Sequence, residues 1–380
     1  MNFSPVIETL RSLIAINSVN SFYEGGPGER EIATWVRHFF EHRGIVVWEQ
    51  EVFPNRPNVI ARLPGRDPSR RVILEAHMDT VSVQGMSIAP FEPRIEDGKL
   101  FGRGSCDTKA GLAAMMHAVA SLHEEGIVPP CEVWLAAVVD EEFSYRGVVK
   151  LCEDLTADAA LIAEPTGLRA NIAGKGVLRW RIVVRGKAAH SSKPQLGVNA
   201  ISHAARVVLA IEEDHARLAA KVHPLLGPAT VNVGIIRGGV QVNFVPDECA
   251  IEIDRRLLPG ESGTAVLAHY QRLLDELKTQ HPTFDAVMEP PRILDEALET
   301  SADSAPAQLA SIVLAEMGLD ATLGGVPFGS DASKLSRAGV PSLIIGPGSI
   351  DQAHAAVEFV EITEVARALT FYRNFIQRFE

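Results

Sequence analysis

The sequence predicts an α/β protein: a larger domain with a mostly parallel sheet covered by helices, and a smaller α+β domain inserted into it. Three observations support this fold class. A chain of 380 residues exceeds the size at which one core usually keeps growing, which favours two domains. The first 170 residues alternate helical patterns with short apolar runs. The pattern then changes from about Lys175 until the proline pair Pro290–Pro291.

The larger domain begins with an amphipathic helical pattern over residues 1–16. This segment contains Glu8 and Arg11 and lacks the basic start of a signal peptide. Three apolar runs follow, at residues 71–76, 132–139 and 158–163. They are too short for buried helices and do not alternate with polar residues. We therefore expect strands that are covered on both faces of a parallel sheet.

The inserted domain differs because its apolar and polar residues alternate. The segments VLRWRIVVRG, ATVNVGII and CAIEIDRRL predict antiparallel strands, and residues 198–220 predict a helix. After the proline pair come a predicted helix over 303–317, a glycine-rich loop GGVPFGSDASKL, the apolar run PSLIIG and a closing helix from Glu361. We therefore expect residues 1–174 and 292–380 to form one discontinuous domain, with residues 175–291 as the insert.

Composition excludes several classes of partner. The formal net charge of −12 and the absence of a basic run disfavour both nucleic acid and anionic membrane surfaces. No apolar stretch approaches the roughly 18 residues that a membrane span needs. The four cysteines are scattered and form no CxxC pair, which is typical of buried thiols in a reducing compartment. A cytoplasmic protein is expected.

Side chains of the metal-binding kind follow four of the apolar runs. In chain order they are His77 with Asp79, Glu141 with Glu142, Glu164, and His354. In open α/β sheets, ligands bind outside the carboxyl ends of the strands, so these four ends are expected to converge on one crevice. Asp107 lies in the glycine-rich segment GRGSCDTKAG just before a helical pattern, and we expect it to face the same crevice.

This residue set favours hydrolysis assisted by divalent metal ions. Two imidazoles and several carboxylates, without cysteine, are typical ligands of zinc, with cobalt or manganese as alternatives. Two neighbouring ions can polarise a carbonyl and supply hydroxide at neutral pH. Glu141 and Glu142 lie just beyond a strand end, where one can bind metal while the other serves as general base. Asp79 is placed to accept the second imidazole N–H of His77 and so to set its tautomer.

Other common chemistries lack their motifs. The segment after Gly102 fails the GxGxxG pattern of dinucleotide binding because its sixth position is Asp107. The chain also contains no GxxxxGK[ST] phosphate loop, no HExxH zinc motif and no GxSxG nucleophile elbow.

Six segments together resemble the M20 family of metallopeptidases and deacylases, in order and spacing over essentially the whole chain. They are EAHMDTV, GRGSCDTKAG, VVDEE, AEPTG, AAHSS and GPGSIDQAH. The resemblance is to the branch of acetylornithine deacetylase and succinyl-diaminopimelate desuccinylase, with glutamate-releasing carboxypeptidases as relatives. It implies two divalent ions, zinc foremost, a discontinuous catalytic domain, and an insert that acts as lid and dimerisation domain of a homodimer.

The resemblance also implies roles for individual residues. Asp107 bridges the two ions, His77 and Glu164 complete one site, Glu142 and His354 complete the other, and Glu141 is the base. In the insert, His190 resembles the histidine that stabilises the developing oxyanion, commonly from the partner subunit. Asn243 and Arg256 resemble the residues that hold the substrate's backbone and carboxylate, a role that suits the planar guanidinium. The choice of Arg256 over Arg255 rests on motif register.

We therefore expect an amidohydrolase that removes an acyl or aminoacyl group from a small molecule with a free carboxylate, such as an N-acyl amino acid. A dipeptidase or carboxypeptidase is the first alternative, because the shared motifs do not separate these activities. A metal-containing binding protein without turnover is the second, and Glu141 argues against it because a purely structural site needs no general base. One departure concerns specificity: Val357 precedes Glu358 where the family often has Asn or Asp.

Overall fold

The computed structural model describes residues 4–380 and divides into two compact units. The first unit comprises the chain up to Ile172 together with Thr300–Gly324 and Ser330–Glu380. The second comprises Ala173–Glu299 and Gly325–Gly329. The helix expected over residues 1–16 is present as Pro5–Ala15, and the first three residues of that prediction lie outside the described residues.

The elements of the first unit confirm an α/β fold. The helices are α1 (Pro5–Ala15), α2 (Arg30–Glu41), α3 (Lys109–Glu124), α4 (Arg146–Leu151), then α7 (Ala305–Glu316), α8 (Ala332–Arg337) and α9 (Ile362–Arg378). The strands are β1 (Val46–Phe53), β2 (Arg56–Leu63), β3 (Asp67–His77), β4 (Arg94–Glu96), β5 (Lys99–Phe101), β6 (Cys131–Val138), β7 (Ala159–Ile162), β20 (Ser342–Ile344) and β21 (Phe359–Glu361). Strands β8 (Asn171–Gly174) and β19 (Gly324–Val326) cross the unit boundaries along the chain.

The central sheet of the first unit has the strand order β1-β2-β6-β3-β7-β20. Strand β3 runs parallel to both β6 and β7, and β20 runs parallel to β7. Strands β1 and β2 extend the sheet in antiparallel pairing. The four strands predicted to be parallel therefore lie side by side, and their carboxyl ends meet at one edge.

Helix α3 is buried along most of its length because its residues are small or apolar on nearly every face. Its first turn passes very close to the chain that follows β7. A Cβ atom added at Gly111 would lie 2.4 Å from the Cβ atom of Ala163. Only glycine permits this approach, which brings the start of α3 and the preceding Asp107 to the sheet edge.

The second unit is an antiparallel sheet with two long helices, as the alternating segments predict. Its elements are β9 (Gly176–Arg185), β10 (Ala189–His190), α5 (Ala200–Leu218), β11 (Val222–His223), β12 (Gly227–Pro228), β13 (Thr230–Gly238), β14 (Phe244–Val245), β15 (Glu248–Leu257), α6 (Gly263–Gln280), β16 (Asp285–Met288), β17 (Ile293–Asp295) and β18 (Leu298–Glu299). The main sheet has the order β13-β15-β9-β16, and its core contains the fully buried Trp180 and Tyr270.

Two sequence predictions need correction. The second unit was expected to end at residue 291, but β17 pairs with β9 from Ile293 onward, so the unit continues to Glu299. It also includes the separate segment Gly325–Gly329. Backbone pairing continues past the proline pair because the prolines only interrupt the strand ladder. The segment GGVPFGSDASKL, expected to be a loop, contains β19 and the first four residues of the short helix α8. Within the described residues, no helix combines the length and apolarity that crossing a bilayer requires.

Candidate active site

The predicted metal ligands meet at the carboxyl edge of the parallel strands. His77 is the last residue of β3, and Glu164 follows shortly after the end of β7. Glu141 and Glu142 follow β6, where Asp140 adopts a left-handed φ of 67° and turns the chain away from the sheet. His354 lies beyond β20, after a short 3-10 helix over Ile350–Gln352.

Asp107 lies between two imidazoles. One of its carboxylate oxygens, Oδ1, is 3.1 Å from Nε2 of His77, and the other, Oδ2, is 3.2 Å from Nε2 of His354. The same His354 nitrogen lies 3.1 Å from the carboxylate of Glu142. His77 belongs to two close groups, one with Glu141 and Glu164 and one with Asp107 and Glu142, and within each group the ligand atoms lie within 4.8 Å of one another. The two carboxylate oxygens of Asp107 therefore face different imidazoles, Oδ1 that of His77 and Oδ2 that of His354.

These distances fit metal coordination. Two ligands held at about 2.1 Å by one tetrahedral ion lie about 3.4 Å apart, close to the separations around Asp107. The donor atoms are imidazole nitrogens and carboxylate oxygens, the set that zinc and similar divalent ions accept. Four carboxylates belong to the cluster, namely Asp107, Glu141, Glu142 and Glu164, and two divalent cations match their ionised charge. The residues present thus fit a two-metal centre.

Burial and mutual repulsion shift the pKa values of the cluster. Burial, with the Asp107 charge adding to it, raises the pKa of Glu164 to about 8. Burial and the Glu164 charge raise the pKa of Glu141 well above its usual range. Hydrogen bonds with Asp107 and Glu142 raise the pKa of His354 to about 10. Cations bound among these groups would favour the ionised carboxylates and neutral imidazoles that ligation requires.

Among the predicted ligands, His354 is the most accessible, with 53% of its side chain exposed, whereas His77 is 2% exposed. The cluster is therefore closed by the sheet on the His77 side and open to solvent on the His354 side. This openness suits a catalytic centre, which must keep positions for water and substrate.

The interpretation of Asp79 needs correction. Nδ1 of His77 lies 2.9 Å from the backbone oxygen of Asp79 and 3.7 Å from its carboxylate, so the backbone carbonyl accepts the imidazole N–H. The carboxylate instead accepts the backbone N–H groups of Glu141 and Glu142, each at 3.1 Å. Asp79 sits two residues past His77, where the turn directs its carboxylate toward the neighbouring strand end and away from the ring.

The sequence did not predict the residues that hold the backbone of Asp107 in place. Oε1 of Glu358 accepts the backbone N–H groups of Cys106 and Asp107 at 2.9 and 3.1 Å. Its other oxygen accepts a 2.7 Å hydrogen bond from Arg103. A glutamate four residues after the predicted ligand His354 was the available signal, but its partners come from a distant segment, so the sequence did not reveal them.

The three predicted substrate residues lie in the second unit. His190 is exposed on β10, and its Nδ1 lies 2.8 Å from Oγ of Ser192. Asn243 lies near His190, because the backbone oxygen of Asn243 accepts the N–H of Ser191 at 3.0 Å. Arg256 lies on β15, pairs with Asp254 at 2.8 Å and keeps 25% of its side chain exposed.

Arg255 differs from Arg256 in its surroundings. It is buried, pairs with Glu261 at 2.8 Å and contacts the backbone oxygen of Arg256. Its guanidinium binds residues of β15 and of the turn that follows it. Of the two arginines, Arg256 therefore has the accessible side chain.

The site defines a class: a hydrolase whose carboxylates and imidazoles, at the edge of a parallel sheet, are arranged for two divalent ions. The sequence pattern of Peptidase family M20/M25/M40 matches residues 73–378, and the chain belongs to this family. The protein is a metallo-hydrolase that acts on amide bonds. The family predicted from the six sequence segments is thereby confirmed.

Individual relatives differ in their named activities. An acetylornithine deacetylase of Myxococcus xanthus is 32% identical, over 82% of this chain and 80% of its own. A peptidase M20 domain-containing protein of Schizosaccharomyces pombe is 29% identical, over 98% of this chain and 84% of its own. Among solved structures, the aminopeptidase PepT of Bacillus cereus has a TM-score of 0.82 at 24% identity and covers 98% of this chain and 97% of its own.

Proposed function

We propose that this protein hydrolyses the amide bond of an N-acyl amino acid, in the manner of acetylornithine deacetylase and succinyl-diaminopimelate desuccinylase. The observation that carries the proposal is the position of Asp107 between His77 and His354, with Glu141 beside the same cluster. A structural metal site has no need of an additional buried carboxylate of this kind, whereas hydrolysis requires a general base.

His77, Asp107 and Glu164 would hold one ion, and Asp107, Glu142 and His354 the other. Bound there, the ions would polarise the scissile carbonyl and lower the pKa of the attacking water. We propose zinc, because imidazole and carboxylate ligands suit it, with cobalt and manganese as alternatives.

Glu141 would accept the proton of the attacking water and then deliver it to the leaving nitrogen. Burial and the nearby Glu164 charge raise the pKa of Glu141 well above its usual range, so its carboxylate accepts a proton more readily than that of an exposed glutamate. Glu142, its neighbour, is committed to the ligand cluster through His354.

The second unit would supply the remaining contacts. His190 would stabilise the oxyanion, and Asn243 and Arg256 would hold the substrate's backbone and free carboxylate. The exposed side chain of His190 and the accessible guanidinium of Arg256 support these roles. A homodimer, in which this unit acts as lid and dimerisation domain, and a cytoplasmic location remain predictions.

A dipeptidase or carboxypeptidase is the second candidate. Both reactions would use Glu141 as the base and the same pair of ions to polarise the carbonyl, and they differ in whether the group removed is an acyl or an aminoacyl group. The similarity to an acetylornithine deacetylase at 32% identity favours the deacylase. The fold is also that of an aminopeptidase, so the peptidase is retained as the second candidate.

The test combines metal analysis with a substrate panel. Purified protein is assayed for metal content and for hydrolysis of N-acetyl, N-succinyl and N-formyl amino acids and of dipeptides. Glu141→Gln should keep the metal and lower kcat by about 10² to 10⁴-fold, the usual contribution of a general base. Glu31→Gln, on the exposed face of α2, is the matched control and should retain wild-type kcat.

Each outcome assigns a function. Cleavage of acyl amino acids identifies the deacylase, and cleavage of dipeptides alone identifies the peptidase. Bound metal with no cleavage of any member of the panel would support a binding protein instead. Full activity in Glu141→Gln would refute the assignment of the base.

A further inference from the structure

Asn20 is a buried amide beside the active site that the mechanism above does not use. It follows α1 and is 0% exposed. Its side-chain nitrogen donates to Oδ2 of Asp79 at 2.7 Å and to Oδ1 of Asp140 at 2.9 Å. One amide group therefore joins the segment directly after His77, the last residue of β3, to the segment after β6 that carries Glu141 and Glu142.

The carboxylate of Asp79 connects Asn20 to the backbone of Glu141 and Glu142. Its Oδ1 accepts the backbone N–H of Glu141, and its Oδ2 accepts that of Glu142, each at 3.1 Å. A carboxylate with three donors has a fixed orientation, because each oxygen is directed toward its own partner. Asn20 supplies one of these donors and shares an oxygen with the Glu142 amide.

Electrostatics makes this donor important. Asp79 and Asp140 are both fully buried, and the Asn20 nitrogen lies between their carboxylates. Arg56 reaches Asp140 at 3.3 Å but is also engaged by Glu29 at 2.5 Å. Without the Asn20 donor, two buried carboxylates of like charge would face each other, and repulsion would displace Asp79 from the two amides.

We propose that Asn20 is a positioning residue that sets the base Glu141 and the ligand Glu142 through the carboxylate of Asp79. The inference rests on the proposed function for the roles of the two glutamates. Asn20 touches neither substrate nor reacting atoms, and its effect should reach the reaction only through the orientation of Asp79.

The variant that isolates this role is Asn20→Asp. It keeps the shape and the side-chain oxygen that accepts the N–H of Phe22 at 3.1 Å, and it replaces the donor with a further carboxylate oxygen. The matched control is Asn171→Asp. Asn171 is also buried, at 3% exposure, and its amide donates to the backbone oxygens of Arg169 and Ile344 at 2.9 and 3.4 Å. Asn20→Ser adds no charge and serves if Asn20→Asp does not fold.

Four measurements test the proposal: kcat and KM, the affinity for Zn²⁺ by chelator competition, the visible spectrum of the Co²⁺-substituted protein, and the melting temperature without metal. Loss of a residue that orients ligands typically costs about 10- to 100-fold in activity or metal affinity. We expect Asn20→Asp to lower kcat in that range with a smaller change in KM, to weaken Zn²⁺ binding and to alter the Co²⁺ spectrum. Asn20→Ser should show the same changes at lower magnitude.

A double-mutant cycle with Asp79→Asn tests the route of action. If Asn20 acts through Asp79, adding Asn20→Asp to Asp79→Asn should lower kcat little further. The proposal is overturned if the two losses multiply, or if Asn20→Asp and Asn171→Asp lower the melting temperature equally while kcat, Zn²⁺ affinity and the Co²⁺ spectrum stay at wild-type values. If the wild type cleaves no substrate, the proposed function fails, and the Zn²⁺ affinity and Co²⁺ spectrum still decide whether Asn20 positions Glu142.

Discussion

Removal of Glu358 should destabilise both the fold and the metal centre. Glu358 is 0% exposed, and Arg103, its partner at 2.7 Å, is 3% exposed. Glu358 also accepts the backbone N–H groups of Cys106 and Asp107. Glu358→Ala leaves a buried guanidinium without its charge partner and two amides without their acceptor, while Arg103 keeps its 3.1 Å bond to the backbone oxygen of Ser82.

The expected loss follows from these contacts. Breaking a buried ion pair by removing one partner costs about 3–5 kcal/mol of unfolding free energy. The two unsatisfied amides act in the same direction but overlap with that cost, so we expect roughly 3–5 kcal/mol in total for Glu358→Ala. Glu358→Gln retains an acceptor for the amides and loses only the charge, so its cost should be smaller, about 1.5–3 kcal/mol.

Urea unfolding of the metal-free proteins, followed by circular dichroism, measures these differences. Zinc affinity measured in parallel should fall for Glu358→Ala, because the Asp107 backbone loses its anchor. Adding Arg103→Met to Glu358→Ala should recover part of the stability by removing the unpaired charge. A loss below 1 kcal/mol for Glu358→Ala, or a double variant less stable than the single one, would refute this reasoning.

Three further predictions concern packing and pH. Trp180→Ala, in the core of the second unit, should cost about 3–5 kcal/mol in the same urea assay, and a cost under 1 kcal/mol would contradict the packing. Gly111→Val should abolish zinc binding or folding, because its Cβ atom would overlap Ala163, and a variant with normal zinc affinity would refute that close approach. Burial, with the Arg43 charge adding to it, lowers the pKa of His117 to about 4. The unfolded state therefore binds the proton more readily, and stability should fall by up to roughly 3 kcal/mol as the pH drops from 6.5 to 4. His117→Gln should show a smaller drop, and equal pH profiles of the two proteins would exclude this origin.

The sequence predicts the sheet well, and it also predicts which side chains come together at the sheet edge, because both depend on local features. Short apolar runs identify β3, β6 and β7, and the polar residues directly after them must lie at the same edge when the strands are parallel. His77 and Glu164 follow from this rule. Asp107 required in addition a glycine-rich segment before a helix, and the structure shows that Gly111 permits the close approach.

Other features depend on contacts between distant segments, which one sequence does not display. Asn20 lies 59 residues before Asp79, and Glu358 lies 251 residues after Asp107. The carboxylate of Asp79 was assigned to the wrong partner because the turn after β3, not sequence spacing, sets its direction. The end of the second unit was placed too early because β17 pairs with β9 beyond the proline pair.

The central claim is that Asp107 is shared by two metal ions. Its most direct test is a crystal structure of the zinc-loaded protein with anomalous diffraction recorded on both sides of the zinc absorption edge. We expect two anomalous peaks per chain, about 3.5–4 Å apart, on either side of the Asp107 carboxylate. One peak should contact His77 and Glu164, and the other Glu142 and His354. A single peak, or two peaks that do not both contact Asp107, would contradict the claim.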